Sequence, residues 1–157
     1  MKEFHIKALK KKDLNSLLIL LKEFADYEKK CLQTNKKKLN DLFFKNDFGR
    51  AFILRENQEI IGYLMFFYTF SSFRGCRGIY IEDIYIKKNF RRKGYGRQIF
   101  KFLAELCQKE NIQKLTWVCL NENTLGINFY QGLNARHMDE LRTYCLEGED
   151  LAKICKL

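Results

Sequence analysis

Apolar side chains recur along the first third of the chain with two different periods. Residues 4–9 alternate in character, which predicts a first β-strand. Apolar residues then recur at helical spacing over residues 17–25, and this helix is expected to be capped by Asp13 and to end near Glu28. Thr34 is expected to cap a second, shorter helix.

The middle of the chain is rich in Ile, Phe and Tyr. Residues 50–55 and 59–70 flank the polar segment 56–58, a pattern typical of a β-hairpin. A third apolar run, residues 79–86, predicts another strand. The clearest amphipathic helix begins near Gly96, because apolar and charged side chains separate onto opposite faces after this residue.

The last third of the chain predicts three more elements. A strand is expected at residues 114–120, a short helix from about residue 123 to Leu133, and a last strand at residues 141–146. The order β-α-α-β-β-β-α-β-α-β implies an α/β (α+β) fold, in which helices flank both faces of a mixed, mostly antiparallel central sheet. Because no linker or repeat interrupts the sequence, residues 1–157 are expected to form a single domain.

Composition argues against several classes of protein. The six cysteines form no Cys-x-x-Cys pair and only two histidines are present, so no metal site and no disulfide framework are predicted. Cys107 is assigned to the apolar face of a helix, and Cys119 and Cys145 to strands, where cysteine behaves as a small hydrophobe. No apolar stretch resembles a signal or a membrane span, so a soluble, cytoplasmic protein without membrane contact is expected.

The formal net charge of +10 suggests nucleic-acid binding, because clustered Lys and Arg side chains neutralise phosphates. Much of the excess, however, is lysine in runs at residues 10–12 and 36–38, next to predicted helix starts. Such runs are usually solvated. No nucleic-acid partner is therefore predicted.

The segment at residues 91–96, Arg-Arg-Lys-Gly-Tyr-Gly, lies between an apolar strand and an amphipathic helix. A helix N-terminus offers free backbone N–H groups, and glycines let an anion approach them closely, so the segment suits a phosphate ligand. It lacks the Gly-x-x-x-x-Gly-Lys-Ser/Thr motif and the third glycine of a dinucleotide fingerprint, which leaves a different pyrophosphate. The alternative is a simple turn with solvated basic side chains.

Residues 91–96 resemble the Arg/Gln-x-x-Gly-x-Gly/Ala pyrophosphate loop of the GNAT superfamily of N-acetyltransferases. Three further segments, residues 25–28, 73–96 and 123–135, resemble the spermidine/spermine and thialysine acetyltransferase subgroup, in the same order. The resemblance extends over essentially the whole chain. It implies the GNAT fold, an acetyl-CoA-dependent N-acetyltransferase activity and a homodimer.

The resemblance also implies how acetyl-CoA binds and leaves as CoA. In the family, the strand before the loop splays from its neighbour and pairs with the pantetheine arm, while the loop amides hold the pyrophosphate. The cofactor-binding positions implied in this sequence are Ile84, Tyr85, Ile86, Arg91, Arg92, Lys93, Gly94, Tyr95, Gly96, Arg97 and Asn123.

Two residues are candidates for catalysis, Glu82 because it lies at the end of an apolar run beside the loop, and Tyr130 because it matches the family's tyrosine. Glu82 is expected to act as general base through a water, with a pKa raised by partial burial, and Tyr130 as the general acid that protonates the departing CoA thiolate. Alternatively, Glu82 and Asp83 only bind a cationic substrate, and Tyr130 is a buried helix aromatic. The substrate-binding positions are Tyr27, Glu28, Phe73, Glu82, Asp83 and Glu140.

Several positions depart from the pattern of the subgroup. Ser71 and Phe73 stand where polyamine acetyltransferases carry Asp and Trp, and Leu141 and Cys145 replace Trp and Arg. The missing carboxylate weakens the attraction for a long polycation, and the Ser-Ser-Phe segment is more similar to members that act on other small amines or lysine analogues. The small-molecule amine is expected to be a polyamine, a diamine or a lysine analogue. The alternatives are acetylation of a protein lysine or N-terminus, and acyl-CoA or nucleic-acid binding without turnover.

Overall fold

A computed structural model describes residues 3–155 of the chain, which form two compact units that meet in the sequence between Trp117 and Val118. The elements of the first unit are β1 (Phe4–Ala8), α1 (Leu14–Tyr27), α2 (Lys36–Asn40) with a following π-helical turn (Asp41–Lys45), β2 (Arg50–Glu56), β3 (Glu59–Ser71), β4 (Cys76–Ile86), α3 (Tyr95–Lys109) and β5 (Ile112–Thr116). The second unit contains α4 (Thr124–Gln131) and α5 (Gly148–Ile154).

The five strands form one sheet in sequence order, β1-β2-β3-β4-β5. Strands β1 to β4 pair antiparallel, and β5 pairs parallel to β4 after the crossover through α3. The mixed, mostly antiparallel sheet predicted from the sequence is therefore confirmed. A single domain over residues 1–157 stays a prediction.

Side chains that alternate along the strands pack against helices on opposite faces of the sheet. The face covered by α1 and α2 buries Leu14, Leu17, Leu20, Leu39, Ala51, Ile53, Tyr63, Met65 and Tyr85. The face covered by α3 buries Leu54, Ile61, Leu64, Phe66, Ile79, Ile81, Tyr95, Ile99, Leu103 and Ile112. Helices thus flank both faces of the sheet, as predicted.

Short polar side chains lie at the starts of the first two helices. A 3-10 turn at Lys11–Asp13 precedes α1, and the Asp13 carboxylate accepts a hydrogen bond from the Lys10 N–H at 3.1 Å. The side-chain oxygen of Asn35 accepts from the Lys38 N–H at 3.0 Å and caps α2, one residue later than predicted. The Asn35 contact satisfies an N–H group that α2 itself leaves unpaired. Asp13 stands at the N-cap position of α1 but its side chain makes no hydrogen bond to that helix, so the capping predicted for it is not seen.

Gly62 lets β3 and β4 approach each other closely near the end of β4. It lies opposite Ile86, and a Cβ atom on Gly62 would lie 2.0 Å from the carbonyl oxygen of Tyr85. Any side chain would therefore push the backbone of β4 away. Glycine at this position fixes the path of the strand that carries Glu82 and Asp83.

The C-terminal part of the chain differs from the prediction. β5 ends at Thr116, and residues 141–146 form no strand, since a short apolar run becomes a strand only where a neighbour supplies its hydrogen bonds. Cys119 and Cys145 therefore lie outside strands, and α5 has no counterpart among the predicted elements. Within residues 3–155, no helix combines the length and the apolarity needed to cross a membrane.

Candidate active site

Residues 91–96, here called the basic turn, lead from β4 into α3. Arg92 and Gly94 adopt left-handed backbone conformations, with φ of 63° and 82°. Gly94 caps α3 without a side chain, which leaves the first N–H groups of the helix, at Tyr95 and Gly96, without acceptors in the preceding turn. N–H groups gathered in this way at a helix start favour an anion.

The strand β4 has an open edge beyond the point where β5 leaves it. β5 pairs with β4 only at residues 77–80, and no strand among residues 3–155 pairs with that edge further along. The Lys87 N–H donates to the Ile61 carbonyl at 2.8 Å. Because antiparallel hydrogen bonds alternate, the backbone groups of Ile84 and Ile86 point to the open edge.

Tyr85 differs from its two neighbours, because its backbone groups face β3 by the same alternation. Its ring is buried and packs against Phe24 and Tyr63, with centroid distances of 5.4 and 5.9 Å. Its hydroxyl donates to the Glu23 carboxylate at 3.3 Å. Of the three cofactor-binding residues predicted on β4, it is therefore the one whose backbone is turned away from the open edge.

Glu82 lies at a β-bulge. Met65 pairs with Asp83, but the next pair joins Phe66 to Ile81, so Glu82 is the extra residue of β4. Its side chain is exposed, and the predicted partial burial is wrong. The bulge turns Asp83, which is half-buried, to the face covered by α1, whereas Ile81 faces α3.

Asp83 is a carboxylate with an altered proton affinity. The Tyr63 hydroxyl donates to it at 3.4 Å. Burial, followed by the charge of Glu82 and, more weakly, of Glu28, raises the pKa of Asp83 to about 6, against the opposing effects of Tyr63 and Lys30. Burial also raises the pKa of Tyr63, so its hydroxyl keeps its proton and continues to donate. A carboxylate of this kind can hold a cation or accept a proton near neutral pH.

The raised pKa of Asp83 should have a cost in stability. In the folded protein the carboxyl ionises only above pH 6 or so, whereas in the unfolded chain it ionises near 3.8, and folding therefore becomes less favourable as the pH rises through this window. Asp83→Asn is expected to raise the free energy of unfolding at pH 8 by about 1–3 kcal/mol. Urea denaturation at pH 8 and pH 4.5 measures this, and the gain should be smaller at pH 4.5. A loss of stability at pH 8, or a gain no larger than that of the exposed control Asp26→Asn, would contradict the expectation.

Further charged side chains lie at the C-terminal end of α1. Glu28 caps the end of the helix and pairs with Lys30 at 2.7 Å. Glu23 lies 4.0 Å from the Lys87 ammonium group. Glu28 and Asp83, two of the predicted substrate carboxylates, are close enough for the charge of Glu28 to raise the pKa of Asp83. The carboxylates of Glu23, Glu28 and Asp83 are together called the acidic region below.

Arg91 connects the basic turn with the acidic region. Its Nε donates to the Ile86 carbonyl at 2.8 Å. Its guanidinium lies 4.5 Å from the ring centroid of Tyr27, a predicted substrate-binding residue, and 5.8 Å from that of Tyr85. The side chain of Arg91 therefore holds the end of β4 to the end of α1.

The other basic side chains in the basic turn and in the first turn of α3 divide into two kinds. The Lys93 ammonium lies 3.3 Å from the buried Glu56 carboxylate, and the Tyr95 hydroxyl donates to the same carboxylate. Arg92 and Arg97 are exposed. The positive charge that a phosphate ligand would meet at this turn therefore comes mainly from Arg92 and Arg97.

The second unit contains Asn123 and Tyr130. The Asn123 side-chain oxygen accepts from the Gly126 N–H at 3.0 Å and caps α4, while its contact with a cofactor stays a prediction. The Tyr130 ring packs edge-on against Phe129 at 5.4 Å. Burial, with a smaller effect of Cys119, raises the pKa of Tyr130 to about 12. Tyr130 therefore keeps a proton to donate throughout the neutral pH range.

Two predicted substrate-binding residues, Phe73 and Glu140, are not part of the acidic region. Phe73 is fully exposed in the turn between β3 and β4. The strand from Cys76 to Asp83 puts roughly 20 Å between that turn and Asp83, so the structure does not bring Phe73 to the site of its own unit. Glu140, in the second unit, is exposed and bonded to Arg136 at 2.7 Å, which lowers the pKa of Glu140. Its contact with a substrate stays a prediction.

Three residues of the site gave no separate signal in the sequence. Glu23 is one of several acidic residues on an amphipathic helix, Tyr63 is an aromatic in an apolar strand, and Glu56 stands at a predicted polar turn. Their contacts join residues far apart in the sequence. A carboxylate next to a Tyr or Lys at such separations becomes recognisable only once the strand register is known.

A basic turn at a helix start, beside an open strand edge and an acidic region, is an arrangement suited to an acyltransferase for amines. The chain matches the acetyltransferase (GNAT) family over residues 17–134. It is 29% identical to a thialysine N-epsilon-acetyltransferase of Bos taurus, over 95% of each chain. It is 34% identical to an L-ornithine N5-acetyltransferase of Arabidopsis thaliana, over 62% of this chain and 43% of that protein, so it spans less than half of this relative. The chain belongs to the GNAT family of acetyltransferases.

Solved structures share the fold. An integron cassette protein from the mobile metagenome of V. cholerae is 23% identical, with a TM-score of 0.82 over 98% of each chain. AAC(6')-Iy, solved in complex with the bisubstrate analogue CoA-S-monomethyl-acetylneamine, is 17% identical, with a TM-score of 0.74 over 93% of this chain and 99% of that one. At these identities the likeness shows the fold alone.

Proposed function

We propose that this protein transfers the acetyl group of acetyl-CoA to a primary amine of a small molecule, namely a polyamine, a diamine or a lysine analogue. The main support is that one strand, β4, carries an open edge, leads into the basic turn and bears Glu82 and Asp83 between them. An acyl donor with a diphosphate and an amine acceptor can therefore meet along the same strand. The names of the thialysine and ornithine acetyltransferases support a small diamino acid among the substrates.

The described residues fit acetyl-CoA by chemical type. The backbone groups of Ile84 and the N–H group of Ile86, whose carbonyl already accepts from Arg91, offer partners for the amides of the pantetheine arm. The N–H groups at the start of α3, with Arg92 and Arg97, offer partners for the diphosphate. When bound, acetyl-CoA supplies an activated acetyl thioester.

Glu82 is proposed as the general base. A free alkylamine has a pKa of about 10.4 and is mostly protonated at neutral pH, so a proton must be removed before nitrogen can attack the carbonyl carbon. Glu82 is exposed beside the open edge of β4, where it can reach this proton through a water. As the new C–N bond forms and the C–S bond breaks, Tyr130 gives its phenolic proton to the departing sulfur.

Asp83 and Glu28 are proposed to hold the cationic part of the substrate. Their carboxylates supply local negative charge in a protein whose formal net charge is +10. A second assignment is favoured by one observation, the pKa of Asp83 near 6, which also suits a general base. In this second assignment Asp83 takes the proton and Glu82 only attracts the amine.

The test of the proposed function is a free-thiol assay that detects CoA released from acetyl-CoA across a panel of amines. Spermidine, a short diamine, ornithine and thialysine are compared with a lysine-containing peptide, and mass spectrometry identifies the acetylated product. We expect at least one small amine to be turned over far faster than the peptide. Turnover confined to the peptide, or no CoA release with any amine, would contradict the proposal. Gel filtration and a cell fractionation test the proposed homodimer and the proposed cytoplasmic location.

A further inference from the structure

A buried carboxylate lies beneath the basic turn. Glu56 ends β2 and is 8% exposed. It accepts a hydrogen bond from the Tyr95 hydroxyl, and the Lys93 ammonium lies 3.3 Å away. These two partners are the residues on either side of Gly94, whose φ is 82°. The contacts of Glu56 therefore hold both sides of the residue at which the chain reverses into α3.

Aromatic side chains hold the same two partners from outside. The Tyr95 ring stacks on Phe4 of β1 at 4.5 Å and an interplanar angle of 12°. The Lys93 ammonium also lies 4.5 Å from the ring centroid of Phe90. Burial, and then Glu56, raises the pKa of Tyr95 to about 12, so its hydroxyl donates at any ordinary pH. The turn is thus fixed to β1 and β2.

The charge of Glu56 has the wrong sign for an anion site. A buried carboxylate near a diphosphate repels it, and burial itself costs free energy unless hydrogen bonds and an ion pair offset it. Electrostatics alone would therefore favour a neutral residue at position 56. A carboxylate at position 56 is compatible with the site if it improves the geometry of the turn enough to offset this repulsion.

We propose that Glu56 is a positioning residue for the basic turn: by holding Lys93 and Tyr95 on either side of Gly94, it keeps the N–H groups at the start of α3 aimed at the diphosphate of acetyl-CoA. This inference rests on the proposed function, since it takes acetyl-CoA as the ligand. It also assigns the Lys93 side chain to holding the turn. The phosphates are left to the backbone, Arg92 and Arg97.

The central experiment is calorimetric titration of Glu56→Gln with acetyl-CoA, together with steady-state kinetics. Gln can still accept from the Tyr95 hydroxyl but cannot pair with the Lys93 charge. We expect the Kd and the KM for acetyl-CoA to rise about tenfold, with kcat changed less than about twofold, because a hydrogen-bonded charge is lost from a site that acts through binding. Glu59→Gln, which removes an exposed carboxylate from the adjacent strand, serves as the matched control.

The direction in which the Kd for acetyl-CoA changes separates a positioning role of Glu56 from a purely electrostatic one. If Glu56 acted only through its charge, Glu56→Gln would bind acetyl-CoA more tightly, and that result would overturn the proposal, as would an unchanged Kd. Tyr95→Phe keeps the ring on Phe4 and removes only the hydroxyl, so it tests the same idea if Glu56→Gln does not fold. It should raise the Kd in the same direction.

Amide hydrogen exchange of the ligand-free protein provides a readout that does not depend on acetyl-CoA. Glu56→Gln and Tyr95→Phe should speed exchange at residues 98–99, where the Gln98 N–H makes the first hydrogen bond of α3 to the Gly94 carbonyl at 3.2 Å, while leaving the middle of α3 unchanged. If the wild-type protein failed to bind acetyl-CoA, the proposed function would be wrong, yet faster exchange would still support the positioning of the turn by Glu56. Unchanged exchange at residues 98–99 in both variants would overturn the positioning itself.

Discussion

Tyr130→Phe is expected to lower kcat about 100-fold or more, while the Kd of acetyl-CoA stays within about twofold of the wild-type value. The reason is that phenylalanine keeps the ring but removes the proton proposed for the departing sulfur. Since the pKa of Tyr130 is about 12, this proton is present at every pH in ordinary use, and the deficit should be nearly constant between pH 6 and pH 9. Stopped-flow or steady-state thiol release measures kcat, and calorimetry measures the Kd.

Tyr144→Phe is the matched control for this experiment, because Tyr144 is an exposed tyrosine of the same unit. It should leave kcat unchanged. If Tyr130→Phe lost acetyl-CoA affinity by as large a factor as it lost kcat, the ring hydroxyl would serve the binding of acetyl-CoA. An unchanged kcat would remove Tyr130 from the proposed mechanism and leave it as a half-buried helix aromatic.

Glu82→Gln is expected to lower kcat/KM for the amine about 100-fold or more at pH 7, because general-base catalysis is lost. The loss should shrink as the pH rises toward 10. At high pH a growing fraction of the amine is already neutral, since its pKa is about 10.4, and no base is then needed. A profile of kcat/KM from pH 6 to pH 10 for the variant and the wild type measures the effect.

Asp83→Asn decides between the two proposed assignments. If Asp83 only holds the cation, its variant should raise the KM for the amine and abolish any acid limb of the profile near pH 6, where this carboxyl loses its charge. If Asp83 is instead the base, its variant will show the loss that is rescued at high pH, and Glu82→Gln will affect mainly KM. That outcome would reverse the roles proposed for Glu82 and Asp83.

The sequence predicted the sheet and the basic turn because both depend on local patterns. Apolar runs bounded by polar turns mark β2, β3 and β4, and α3 is marked by a one-sided apolar face that follows a glycine turn. The segment at residues 141–146 has strand-like composition but forms no strand, since composition does not specify a partner. Prediction therefore succeeded for those elements whose own local sequence determines their secondary structure.

The site was only partly predictable, for a reason of register. Simple alternation from Ile79 and Ile81 would place Asp83 on the face covered by α3. The bulge at Glu82 depends on how β4 aligns with β3, and neither strand alone specifies it. The exposure of Glu82 and the contact of Asp83 with Tyr63 both follow from that alignment, so the predicted partial burial of Glu82 was wrong.

The bulge also separates the contacts that β4 makes on the α1 side of the sheet from those that it makes on the α3 side. After Glu82, the odd-numbered positions of β4 contact groups on the α1 side, while Ile84 and Ile86 keep the apolar contacts on the α3 side. Under the role proposed for Asp83, substitutions there should alter which amine is preferred without disturbing the packing of α3. Deletion of Glu82 alone would restore a regular strand in which Ile81 and Asp83 keep their pairs with Phe66 and Met65, so both faces would survive while the exposed carboxylate is lost.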